Sequence, residues 1–193
     1  MKIQDMMQMA LMTAVIGMLG LIPPILLTFT PVPITLQTAG LLLAGGLLKP
    51  KQALISLLLF LLVVAAGAPL LSGGRGGIGV FFGPSGGFLL AYPVAALMIS
   101  LWLNRLKKVT ALRLFMIYAV CSIGILYLCG IPFQAMMMDI KVTQAALLSL
   151  IYIPGDLIKA GMCAVLTVKI IEAMSYRKRD VHKGSVRFEQ NNG

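Results

Sequence analysis

The stretch ALISLLLFLLVVAAGAPLLSGGRGGIGVFFGPSGGFLLAYPVAALMISLWLNRLKK, from Ala53 to Lys108, decides the fold. It holds two apolar runs, over about 52–68 and 85–104, parted by a glycine-rich segment and closed by a basic cluster. Arg75 is the one charge between Ala53 and Asn104. Crossing the ~30 Å hydrocarbon core of a bilayer takes about 20 apolar residues, and backbone in lipid must satisfy its own hydrogen bonds, so such runs are expected to be helices.

The pattern repeats outward in both directions. Upstream, a run over about 5–27 ends at Pro23-Pro24, and a shorter one over about 34–48 is entered through Pro31 and Pro33. Downstream, a run over about 111–130 ends at Gly130-Ile131-Pro132. Residues 132–153 then mix a Met run, Asp139 and Lys141 with a short apolar piece, Val142 to Leu150, that is too short to cross and is expected to lie at the interface. A last run starts at Pro154 and continues to about Met174. The expectation is an all-α integral membrane protein: one transmembrane domain of about six helices over 1–175, then a polar tail over 176–193 that the composition predicts to be disordered.

Composition supports the lipid setting. Of 193 residues, 59% are hydrophobic and 11% charged, with a mean hydropathy of +0.96, whereas soluble domains carry about a quarter charged residues. A soluble globular domain is thereby excluded. The net charge of +10 comes from 16 Lys and Arg against 6 Asp and Glu. No nucleic-acid motif accompanies it, and its placement between apolar runs reads as topology. The N-terminus, the 2/3 and 4/5 turns and the C-terminal end hold Lys2, Lys49, Lys51, Arg105, Lys107, Lys108, Arg113, Lys169, Arg177, Lys178, Arg179, Lys183 and Arg187. The other side holds Arg75 and Lys141, and Lys159 is left inside span 6. Both termini are therefore expected in the cytoplasm. The first run is expected to stay as a span, since no persuasive cleavage site precedes Pro23. Cys121, Cys129 and Cys163 lack metal-site or disulfide-framework spacing.

The three outward loops are also the three unusual segments: Pro31 to Thr38, Ser72 to Gly87, and Tyr152 to Asp156. Irregular backbone near lipid is tolerated where protein covers it or where it lines a cavity, which favours a folded cap over a loose hairpin. Gly74, Gly76 and Gly79 match GxGxxG by chance, with no preceding strand and no acid about 20 residues on. No Gly-Lys pair offers a phosphate loop. Asp156 and Lys159 are the sharpest signal: with Pro154 opening the helix, the acid lies in the first turn and the lysine shares its face. A charge within a span costs about 2.5–3.5 kcal/mol on insertion scales and so points to function, although mutual neutralisation is the open alternative. Thr35 and Gln37 offer hydrogen bonds or a helix cap. Arg75 offers an anion ligand or a headgroup contact. Phe81, Phe82, Tyr92 and Tyr152 suit an apolar pocket wall or an interfacial belt. Ala10 and Ala14 form a small-xxx-small pair that lets another helix approach.

The segments VPITLQT (Val32 to Thr38), GGRGGIGVFFGPSGGFLLAYP (Gly73 to Pro93) and IPGDLIKA (Ile153 to Ala160) resemble the BioY family, the biotin-specific S components of energy-coupling-factor transporters. They make up about a fifth of the chain, and the spans between them extend the likeness over nearly all of it except the tail after Tyr176. The resemblance implies a six-helix protein of the bacterial plasma membrane that captures biotin from outside under its external loops. A transmembrane coupling subunit and two ATPases would be its partners, with docking at Ala10 and Ala14. It implies no catalysis by the chain and no cofactor or metal, biotin being cargo. It further implies that Asp156 accepts from a ureido N–H and that Lys159 or Gln37 donates to ligand oxygens. Arg75, or backbone N–H groups of the glycine segment such as that of Gly76, would hold the carboxylate, and Thr35, Phe81, Tyr92 and Tyr152 complete the expected ligand-binding set. Against this stand an S component for another vitamin and a membrane enzyme acting on a lipid or isoprenoid, the latter poorly supplied with acids and histidine in its spans.

Overall fold

The computed structural model describes residues 3–27, 30–106 and 108–191, and the side chains of all of these except 26–31 and 175–191. Lys2 and Lys107, two of the basic residues that set the expected topology, lie outside the described residues, as do the side chains of the basic tail. In chain order the elements are α1 (Ile3–Gly20), a hairpin of β1 (Ile25–Leu27) and β2 (Thr30–Ile34), α2 (Gln37–Leu47), α3 (Pro50–Ala65), a 3-10 turn (Ile78–Phe82) and α4 (Gly86–Asn104). Next come α5 (Ala111–Cys121), a π-helical segment (Ser122–Leu126), α6 (Tyr127–Met138), α7 (Val142–Ser149), a 3-10 turn (Leu150–Tyr152) and α8 (Ile153–Asn191). Since α5, the π segment and α6 form one unbroken helix, six helices build the bundle and α7 is a separate short piece, at the place expected for an interfacial helix. Among the described residues three of them, Ile3–Gly20, Gly86–Asn104 and Ala111–Met138, are long and apolar enough to cross a membrane.

Three expectations change. The first helix stops at Gly20 and does not reach Leu27. A Cβ at Gly20 would collide with the Leu70 carbonyl, so the chain turns where it meets the 66–77 segment. Pro23 and Pro24 bar re-entry into helix, and Ile25–Leu27 and Thr30–Ile34 pair as antiparallel strands, Ile25 with Ile34 and Leu27 with Thr30. A two-stranded ribbon is all edge, which is where Pro31 and Pro33 fit a ladder. Second, the fifth span continues through Gly130 and Pro132 to Met138. Gly130 is a packing position, since a Cβ there would enter the Phe88 ring. The helix ends instead at Asp139, in the left-handed region at φ 53°. Third, α8 carries its backbone as helix past Met174, where the last apolar run was expected to end, to Asn191.

The glycine-rich segment is a folded cap. Leu71 and Arg75 bridge across a tight turn in which Gly74 adopts φ 70°, and Gly77 at φ 86° leads into the 3-10 turn while its N–H reaches the Val64 carbonyl at 2.8 Å. Below the cap, small residues bring the helices together. Ala91, Ala95 and Ala96 of α4 are buried, and a Cβ at Gly45 of α2 would stand 2.7 Å from Ile99. On α8, Ala160, Cys163 and Ala164 face inward while Met162 and Leu166 face out, as expected where lipid is the solvent. Polar ties fasten α1 to α3: Thr13 Oγ1 donates to the carbonyls of Met9 (2.9 Å) and Ser56 (3.1 Å), and Gln52 donates to Asp5 at 2.7 Å.

One dimension positions the site. With 11 residues, α2 is about 16 Å long, half the hydrocarbon thickness. The missing half is filled by the hairpin and the cap, and a cavity lies beneath them.

Candidate ligand-binding site

The three unusual segments meet around this cavity. Its hollow and the open mouth above it together hold about 670 Å³ of empty space. Its wall takes Val32 to Thr35 and Gln37 to Thr38 from the hairpin and α2, Leu71 and Arg75 from the cap, and Ser85, Phe88, Leu89 and Tyr92 from the start of α4. Leu126 and Tyr127 come from the fifth span, and Tyr152, Asp156 and Lys159 from the start of α8. Most of that wall is apolar or aromatic, and Thr35, Thr38, Tyr127 and Lys159 gather at Asp156.

Asp156 and Lys159 pair at 2.7 Å, and each residue is 8% exposed. The helix start explains the acid, because Asp156 lies in the first turn of α8, where unbonded N–H groups and the helix dipole favour negative charge. The ammonium also donates to the Thr35 carbonyl at 3.0 Å and to Thr38 Oγ1 at 2.8 Å. Its three hydrogens are thus matched by three acceptors. The other carboxylate oxygen, Oδ2, accepts from the Tyr127 hydroxyl at 2.7 Å. A carboxylate can accept about four hydrogen bonds, and the described residues supply two, so acceptor capacity remains on a wall of the cavity. The pair is therefore neutralised and also faces a hollow, which joins both readings of it.

Of the residues singled out in the sequence, Asp156, Lys159, Thr35, Gln37, Arg75, Tyr92 and Tyr152 all line the cavity. Gln37 is 2% exposed and its amide donates to the Leu70 carbonyl at 2.9 Å, tying α2 to the cap. Arg75 is exposed at the rim, its Nε donating to the Ser72 carbonyl at 3.2 Å. Gly76 and Phe81 lie off the wall. Gly76 is pressed against the Ala68 carbonyl, with no room for a Cβ, and Phe81 packs on the core that α3 and α4 share with their neighbours. Ala10 and Ala14 are exposed on the outer face of α1, away from the cavity.

Sequence reading missed Tyr127, Thr38, Phe88 and Ser85. Thr38 lies inside the VPITLQT segment, in the first turn of α2 and three residues after Thr35. Tyr127 carried no such signal: it sits mid-span among apolar residues, and its direction depends on the π segment before it.

A helix bundle that buries an ion pair beneath an irregular cap, with the pair open to an aromatic-walled cavity, is a membrane protein built to enclose a small polar ligand. The chain matches the model of the BioY family over residues 1–176 and belongs to that family. It is 58% identical over 183 residues to the probable biotin transporter BioY of Bacillus subtilis strain 168, covering 95% of this chain and 98% of that one. Identity to the biotin transporter BioY of Rhizobium etli is 39% over 172 residues, covering 86% and 92%. A crystal structure of the S-component for biotin from an ECF-type ABC transporter superposes with a TM-score of 0.84 at 34% identity, covering 88% of this chain and 92% of that one.

Proposed function

We propose that this chain is a transport protein and not an enzyme: the biotin-binding S component of an ECF-type vitamin transporter. The observation that carries the reading is the Asp156–Lys159 pair opening on the cavity, in a chain whose relatives are named biotin transporters. Biotin has a cyclic urea with two N–H donors, an apolar sulfur ring, and a carboxylate on a flexible chain. The free acceptor positions of Asp156 suit a ureido N–H, and Phe88, Tyr92, Tyr127 and Tyr152 suit the rings. Arg75 at the rim suits the carboxylate. All three N–H groups of Lys159 are engaged, so its part is to hold Asp156 in place, and Gln37 ties α2 to the cap through one of its two amide N–H groups. Calorimetry on the purified chain in detergent should give 1:1 biotin binding; the absence of both heat and competition by unlabelled biotin overturns the assignment.

The cavity faces outward in this reading, both termini are cytoplasmic, and the protein sits in the bacterial plasma membrane. A cysteine at Ile78, 69% exposed at the cavity end, should react with an impermeant maleimide on intact cells, and protection there would reverse the orientation. The partners are a transmembrane coupling subunit and two ATPases, docked through the exposed Ala10–Ala14 face. Ala14→Trp should abolish biotin uptake by the assembled transporter while leaving biotin affinity of the isolated chain unchanged. An equal loss of affinity would show that the alanines serve the chain's own packing.

A further inference from the structure

We infer that Tyr127 is the positioning residue of the site: through its hydroxyl it aims the Asp156 carboxylate at the N–H donors of the ligand's cyclic urea. The inference rests on the biotin reading of the cavity and extends it to a residue outside the three sequence segments. Four observations carry it. The hydroxyl donates to Asp156 Oδ2 at 2.7 Å while Lys159 takes Oδ1 at the same distance, so the carboxylate is gripped from both oxygens and cannot turn about its last bond without losing a charge-assisted hydrogen bond. Tyr127 itself is fixed, with Phe88 edge-on to its ring at 84° and a centroid distance of 6.0 Å. It is 9% exposed and on the cavity wall. And it comes directly after the π-helical segment Ser122–Leu126. A π turn takes in about one extra residue, rotating the helix beyond it by about 100° relative to an uninterrupted α-helix. That rotation is what turns Leu126 and Tyr127 toward α8.

The consequence is a site that reads donors. A phenol that donates to Asp156 keeps only acceptor capacity of its own. Around the carboxylate, the positions left open on Asp156 and Tyr127 are therefore all acceptors, and the donors of Lys159 are spent. A head group with N–H at that place is matched, and one with the N–H blocked leaves a buried carboxylate under-bonded.

The test compares biotin with its two mono-N-methylated ureido analogues on the purified full chain, using wild type, Tyr127→Phe, Asp156→Asn, the double variant, and Tyr118→Phe as a control that also removes one buried tyrosine hydroxyl. Tyr127→Phe should weaken biotin by about three- to tenfold and narrow its preference over the analogue methylated at the Asp156-facing nitrogen. Added to Asp156→Asn, it should cost almost nothing more. Tyr118→Phe should leave the preference intact. Unchanged affinity and preference in Tyr127→Phe overturn the inference, as does an equal loss for biotin and both analogues, which marks a residue that merely supports the fold. A wild type that holds no biotin overturns the ligand reading, and this inference with it.

Discussion

Two buried polar clusters sit on the inward face of α8, eight residues apart, and differ in what surrounds them. At Lys159 the ammonium, the Asp156 carboxylate and the Tyr127 hydroxyl border a cavity. At Thr167 the hydroxyl meets that of Tyr118 at 2.9 Å, both residues are fully buried, and a Cβ on Gly46 would fall on the Tyr118 oxygen. The second cluster is sealed. Its two hydroxyls share one hydrogen bond, which fastens α5 to α8 where α2 crosses them at Gly46. Burial of polar groups in a span is thus not by itself a mark of function; capacity left over toward a hollow is what separates the outer cluster from the inner one.

The sharpest way to break this contrast is to strip the outer cluster of its charges. Lys159→Met leaves Asp156 buried with one neutral donor, and removing one partner of a buried ion pair costs about 3–5 kcal/mol. Thermal unfolding in detergent should show that loss. Asp156→Leu combined with Lys159→Met should restore most of the stability and hold no biotin. A double variant that still binds would make the outer cluster as structural as the inner one.

Asp156→Asn probes the same point more gently, since it keeps the shape and removes the charge. Charged hydrogen bonds are worth about 1.5–3 kcal/mol each, so biotin affinity should fall by roughly ten- to a hundredfold in calorimetry. No change would place the ligand elsewhere in the cavity.

The sequence made much of this contrast readable, and the reasons are physical. Apolar length fixes which segments cross, and an acid in the first turn of α8 three residues before a lysine fixes that they share a face. Proline was less informative. Pro23-Pro24 marked an end but hid a hairpin, because two short strands among prolines lack a periodic signal. Pro132 looked like a terminus, yet the helix runs through it, since membrane helices tolerate proline where neighbours cover the freed carbonyl. Gly130 misled in the same way, being small to admit Phe88 and not to end a helix. Tyr127 was illegible for a further reason. A π segment shifts the phase of the helix after it, and a constant period of 3.6 residues points that side chain the wrong way. Likewise Gly76 and Phe81 share the glycine-rich motif with Arg75, but only the folded turn shows that one presses on Ala68 and the other on the core.

The inner cluster gives the complementary test. Gly46→Ala forces a methyl group onto the Tyr118 hydroxyl, and overpacking of this kind costs about 1–3 kcal/mol. Unfolding should shift by that amount, while the folded fraction should bind biotin within about twofold of wild type. A large loss of affinity would mean that the α2–α8 crossing sets the shape of the cavity from below.

The smallest effect belongs to Tyr118→Phe. The change removes one hydroxyl and takes from Thr167 Oγ1 the partner it meets at 2.9 Å, but a threonine in a helix can turn to bond a carbonyl in the preceding turn. The remaining loss should therefore be about 1 kcal/mol, the net worth of one neutral hydrogen bond. Thermal unfolding reads it, and calorimetry should find biotin affinity unchanged. Were the affinity to fall as far as in Asp156→Asn, the two clusters would have to act as one polar column along α8, and their difference in surroundings would no longer separate fastening from binding.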